Sequence, residues 1–85
     1  MLPEGYAAKL AANPAAAAFW AETTASYRKI CINWVRSAKQ QATNDKRMAQ
    51  LVDESAAGRL IPSQRYGETP KWVQRAAAAA RAAAG

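Results

Sequence analysis

Eighty-five residues carrying 12 Lys and Arg against 6 Asp and Glu make one small basic domain, with room for only a modest core. The chain has no histidine and a single cysteine, so histidine-based nucleophile relays, histidine zinc sites and an internal disulfide are all excluded. The 51% hydrophobic content is inflated by alanine, which leaves three Trp, three Tyr, one Phe and a few aliphatic residues to build that core.

The first segment opens Leu2-Pro3-Glu4, and a proline in a first helical turn loses nothing because its missing N–H would have no partner there. Tyr6 and Leu10, four apart, share a face of this first helix, which Gly5 weakens. Asn13-Pro14 starts a second helix, with Asn as N-cap and Pro as first residue. Ala15 to Ala21 supply helix propensity, Phe19 and Trp20 supply bulk, and the helix is expected to end near Thr23.

Thr24 caps the third helix. Tyr27, Ile30, Cys31, Trp34, Val35 and Ala38 recur at the spacing of one helix face and form an apolar stripe. Arg28, Lys29, Arg36 and Lys39 lie off that stripe. Cys31 sits within it and reads as a small buried hydrophobe rather than a reactive thiol.

Thr43 is predicted to cap a fourth helix, with Asp45 in its first turn suiting the helix dipole and Gly58 ending it as the residue beyond the C-cap. Met48, Leu51 and Val52 give its apolar face, and a short connection predicts antiparallel packing on the third helix. Asp53 and Glu54 are adjacent, point in different directions, and are expected to be solvated surface charges.

Residues 61–69 are predicted to be a loop, with Pro62, Ser63 and Gly67 breaking the periodicity. Thr69-Pro70 then opens a last, alanine-rich helix running to about Ala84 with a fraying end, either docked, through Trp72 and Val73, or partly free. No segment alternates with period two over a useful length, so no sheet is predicted.

The expected fold is all-α: a bundle of four short helices over residues 1–60, a loop over 61–69 and an alanine-rich helix over 70–85. Its predicted core is Phe19, Trp20, Tyr27, Ile30, Cys31, Trp34, Val35, Met48, Leu51 and Val52, with the three tryptophans meeting as anchors.

Several features along residues 2–60 together resemble a bacterial family, the YdeI/OmpD-associated or bacteriocin-protection proteins, in their C-terminal helical region. They are Leu2-Pro3, the run Leu10-Ala11-Ala12-Asn13-Pro14, Phe19, Thr24-x-Ser26-x-Arg28-Lys29, Trp34-Val35-x-x-Ala38-Lys39, Thr43, Arg47-Met48 and Gly58. The chain departs from the family pattern at Ile30-Cys31, where the family usually has an aromatic-acidic pair, and at Thr43-Asn44, where it usually has Thr-Arg. The stretch after Pro62 has no counterpart in the pattern. The resemblance implies a helical bacterial protein linked to antimicrobial-peptide resistance and to a porin, without a defined biochemical activity. Members often carry a β-rich domain ahead of the helices.

Function therefore has to be sought in the charge. Residues 24–58 hold six basic and three acidic residues, and residues 59–85 hold five basic residues against Glu68 alone. Arg28, Lys29, Arg36, Lys39, Lys46 and Arg47 form the candidate binding surface. A basic surface suits an acidic protein, a nucleic-acid backbone or an anionic lipid. A helix-turn-helix reading is opposed by Asp45, Asp53 and Glu54 on the fourth helix. A membrane-surface reading is opposed by the absence of a bulky apolar face on the tail helix.

The four glycines stand apart, so no phosphate loop exists, and the spacing of the carboxylates suggests no acid–base pair. The expectation is a non-enzymatic protein without a cofactor, acting on a protein partner, with nucleic acid as the alternative. No apolar run approaches a membrane span, and no basic segment precedes a long apolar one at the N-terminus, so a cytoplasmic location is expected.

Overall fold

The computed structural model describes residues 2–84, so Met1 and Gly85, the outer ends of the predicted bundle and tail helix, lie outside it. Its element order is α1 (Glu4–Ala11), α2 (Pro14–Ala21), α3 (Ala25–Arg36), α4 (Gln41–Ala56), a 3-10 turn (Pro62–Gln64) and α5 (Lys71–Ala84). The fold is all-α, as the periodicity predicts.

Local chemistry sets most of the boundaries. The Asn13 side chain accepts from the Ala16 N–H at 3.1 Å and Pro14 is the first residue of α2. Thr24 accepts from the Tyr27 N–H at 3.1 Å, which starts α3 where its sequence places it. α4 begins three residues earlier than predicted. Gln40 is its N-cap, its side chain makes no capping bond, and Thr43 sits inside the first turn.

At the far end of α4, Gly58 takes φ +77 and completes a Schellman motif. Its N–H donates to the Ser55 carbonyl at 3.0 Å, and the Arg59 N–H donates to the Glu54 carbonyl at 2.9 Å. α5 begins at Lys71, with the Pro70 carbonyl accepting from the Val73 N–H at 3.1 Å.

The core gathers Phe19 from α2, Tyr27, Cys31 and Val35 from α3, and Met48 and Leu51 from α4, all buried as expected. Leu60 and Ile61, expected at the edge of a loop, are also buried. The remaining core predictions need correction. Trp20, Trp34 and Val52 are only half-buried, and Ile30 is 40% exposed. The Tyr27–Cys31–Val35 line of α3 is the one that goes fully inside, which leaves Ile30 and Trp34 at the edge of the stripe.

The tryptophans do not gather. Trp72 packs instead on Phe19, with ring centroids 6.3 Å apart, and on Tyr27, at 5.4 Å, both tilted.

The second finding concerns α5. The helix, whose docking its sequence leaves open, packs through Trp72 and Val73 and onward along the alanines. Ala76 and Ala80 are buried, and the most extensive contact in the molecule is α2 on α5. The residues that α2 buries are Ala15, Ala16 and Phe19, so two helices with small side chains face each other. Small side chains let helices approach closely, and dispersion over many short contacts then replaces bulk. Gly58 belongs to the same fit. A Cβ there would meet the Ala77 Cβ at 3.0 Å.

Candidate functional site

The six predicted cations divide into two groups. Arg28 and Arg47 turn inward onto helix ends. Arg28 donates from Nε to Thr23 Oγ1 at 2.8 Å and from Nη2 to the Trp20 and Ala21 carbonyls, each at 3.0 Å. Its guanidinium lies 6.0 Å from the Trp20 ring centroid. Arg47 donates from Nη1 to the Trp34 carbonyl at 2.7 Å and to Ser37 Oγ at 3.0 Å, and lies 5.7 Å from the Trp34 ring centroid.

The two arrangements are the same device. A hydroxyl three residues after a tryptophan donates back to that tryptophan's carbonyl, Thr23 to Trp20 at 2.6 Å and Ser37 to Trp34 at 3.1 Å. An arginine from the following helix then covers the ring and satisfies the open carbonyls at the negative end of the helix. Arg28 thus ties α2 to α3, and Arg47 ties α3 to α4. Neither guanidinium is the free reader that its position in the sequence suggests.

Lys29, Arg36, Lys39 and Lys46 remain exposed and form no salt bridge among the described residues. Lys29 and Arg36 are seven apart on α3 and share a face. Arg36 also borders a cavity of about 330 Å³ with Tyr6, Gln41 and Asn44, beside the joint between α1 and α4. That joint is polar. Tyr6 Oη donates to Asp45 Oδ1 at 2.6 Å, and Gln41 Nε2 donates to Tyr6 Oη at 2.6 Å and to Asp45 Oδ1 at 2.9 Å. Asp45 is held below the usual carboxylate range, first by the Tyr6 hydroxyl and then by Gln41.

Glu54 corrects the expectation of a solvated carboxylate, being only 8% exposed. Its Oε1 accepts from Arg59 Nε at 3.2 Å and Nη2 at 2.8 Å, and its Oε2 pairs with Arg65 Nη2. Arg65 Nε also donates to the Leu60 carbonyl at 2.8 Å. Sequence reasoning missed this cluster, although the Schellman spacing around Gly58 carries the signal for half of it. Residues five apart across that turn come together, and here they are an acid and a base.

Two cavities open on the same segment. One, of about 320 Å³, is lined by Arg59, Arg65, Thr69 and Val73 among others. The second, of about 240 Å³, is lined by Tyr27, Ile30, Pro70 and Trp72 among others. Among the described residues, no helix is long and apolar enough to cross a membrane.

Residues 1–58, which hold α1 to α4, match a family model described as "Bacteriocin-protection, YdeI or OmpD-Associated". The match lies in the N-terminal part of the chain and ends at the Schellman glycine, so the Arg59–Arg65 segment and α5 fall outside it. No curated protein matches the chain, and no solved structure does.

Proposed function

Because the chain belongs to the YdeI/OmpD-associated, bacteriocin-protection family, we propose that it is a non-catalytic cytoplasmic protein that works through a protein partner in tolerance of stress or antimicrobial peptides. In this reading residues 1–58 are the counterpart of the family's C-terminal helical region. The observation that carries it is the family match itself, which takes in α1 to α4 together with Lys29, Arg36, Lys39 and Lys46. Three of the six acidic groups are engaged with partners, which supports a non-catalytic role. Asp45 is bound to Tyr6 and Gln41, Glu54 to two arginines, and Glu22 lies 3.4 Å from Arg75.

The test compares survival under a cationic antimicrobial peptide in bacteria producing the protein or its Lys29/Arg36/Lys39/Lys46→Ala variant. Protection by the first and its loss in a folded variant is the expected result. Equal protection by both would refute the role of these cations, and no protection by either would refute the function.

The same four cations favour a second reading, a nucleic-acid-binding module. Fluorescence anisotropy of labelled DNA and RNA at two salt concentrations separates the two. Four phosphate contacts on duplex DNA give a log–log salt slope of roughly −3.6. Salt-dependent binding that disappears in the variant puts nucleic acid first, and binding equal in both proteins removes this reading.

A further inference from the structure

The segment that follows Gly58 builds a site of its own. The two cavities described above share Leu60, Gln64 and Tyr66, so the Tyr66 side chain stands between them. Tyr66 is 74% exposed and Ile30 40%, the two large apolar side chains that the described surface leaves open, and both line the second cavity. Tyr27, Pro70 and Trp72 give that cavity an aromatic and apolar wall.

The first cavity has a different character. Arg59 commits Nε and Nη2 to Glu54, and Arg65 commits Nη2 to Glu54 and Nε to the Leu60 carbonyl. The Nη1 group of each guanidinium has no protein partner among the described residues. Two guanidiniums against one carboxylate leave one positive charge. Glu54 fixes both arginines in advance, so little side-chain entropy remains to be lost when an acceptor arrives. Glu68 lines only the apolar cavity, which disfavours an anion there and sets the direction of a ligand with one charged end.

We propose that the two cavities form one binding site for a monoanion bearing an aromatic ring, its carboxylate on Arg59 and Arg65 and its ring against Tyr66, Ile30 and Trp72. The carboxylate is met locally by the Nη1 groups that Glu54 leaves free, while Glu68 keeps a second negative charge out of the aromatic cavity. The site depends on residues outside the family match and is independent of the α3 and α4 cations. Such a ligand can be a free aromatic acid or the carboxyl-terminal aromatic residue of a peptide.

The test is an NMR titration of the intact protein with phenylacetate, with N-acetyl-phenylalanine and with the uncharged N-acetyl-phenylalaninamide. Both acids should shift the amides of residues 59–73 and the Trp72 indole N–H. N-acetyl-phenylalanine should bind at least about tenfold more tightly than its amide, the value of one charge-assisted hydrogen bond. Tyr66→Ala alters an exposed side chain and leaves the fold alone, and should weaken both acids about threefold to tenfold. Arg65→Met leaves Glu54 with Arg59 and should bring the acid close to its amide.

Tighter binding of N-acetyl-phenylalanine than of phenylacetate supports a peptide terminus as the source, and the reverse supports a free acid. Equal binding of the acid and its amide, shifts centred on Lys29, Arg36 and Lys46, or no shifts in this segment would each overturn the proposal.

Discussion

Tyr27→Phe removes one oxygen and nothing else, and that oxygen holds the connector to the bundle. Tyr27 Oη accepts from the Ile61 N–H at 2.9 Å, and both residues are buried. Ile61 is fully enclosed, so no water can replace the lost acceptor. The phenyl ring still faces Trp72 and fills the same space, so no cavity forms. The cost is therefore that of an orphaned buried donor, about 1–3 kcal/mol. At about 2 kcal/mol, the midpoint of thermal unfolding falls by roughly 8–16 °C for a domain of this size. Circular dichroism melts give the midpoint, and amide exchange at Ile61 gives a local readout that should quicken by about thirtyfold for the same 2 kcal/mol. A midpoint within a degree of the parent, with Ile61 equally protected, would refute the assignment of this bond as the link between α3 and the connector.

Three further outcomes are expected. Phe19→Ala empties a fully buried site and costs about 3–5 kcal/mol, whereas Trp34→Ala, half-buried beneath Arg47, costs about 1–3 kcal/mol; urea melts that rank them in the opposite order would contradict this core. Gly58→Ala meets both a positive φ, worth about 1–2 kcal/mol by itself, and the Ala77 Cβ, so it should also loosen α5, read as faster amide exchange at Ala76 and Ala80. Burial pushes the Cys31 thiol up to about 11 from 9.0, against the pull of the Tyr27 hydroxyl. This raised value contributes stability that is complete below pH 9 and lost as pH rises through 11. At pH 8 the folded protein should react with a thiol reagent at least about a hundredfold more slowly than the denatured chain, and equal rates would show Cys31 to be open.

The parts of this fold that could be read from the sequence are those decided within a few residues. Asn13 and Thr24 cap the helices they announce, and Gly58 stops α4 because only its left-handed φ closes the Schellman turn. The buried line Phe19, Tyr27, Cys31, Val35, Met48 and Leu51 follows from helix periodicity and bulk. What could not be read depends on which ends and faces meet in space. Ala76 and Ala80 carry no bulk to mark them, and become core only because α2 offers an equally small face. Arg28 and Arg47 look like surface charges until the helix ends carrying Trp20 and Trp34 lie beside them. The exposure of four of the six candidate cations could be read for the same reason. Lys29, Arg36, Lys39 and Lys46 need no neighbour to stay exposed, whereas the role of Arg65 depends on Glu54, eleven positions earlier.

The separation of the three tryptophans gives the molecule three internal optical reporters. Trp20 lies under the guanidinium that joins α2 to α3, and Trp34 under the one that joins α3 to α4. Trp72 sits between Phe19 and Tyr27, where α5 meets the bundle. Because each indole has a different neighbour, replacing two at a time with phenylalanine leaves a chain whose emission follows one joint alone. Stopped-flow traces of the three single-tryptophan proteins would then time the assembly of the four matched helices separately from the arrival of the alanine helix that closes over them.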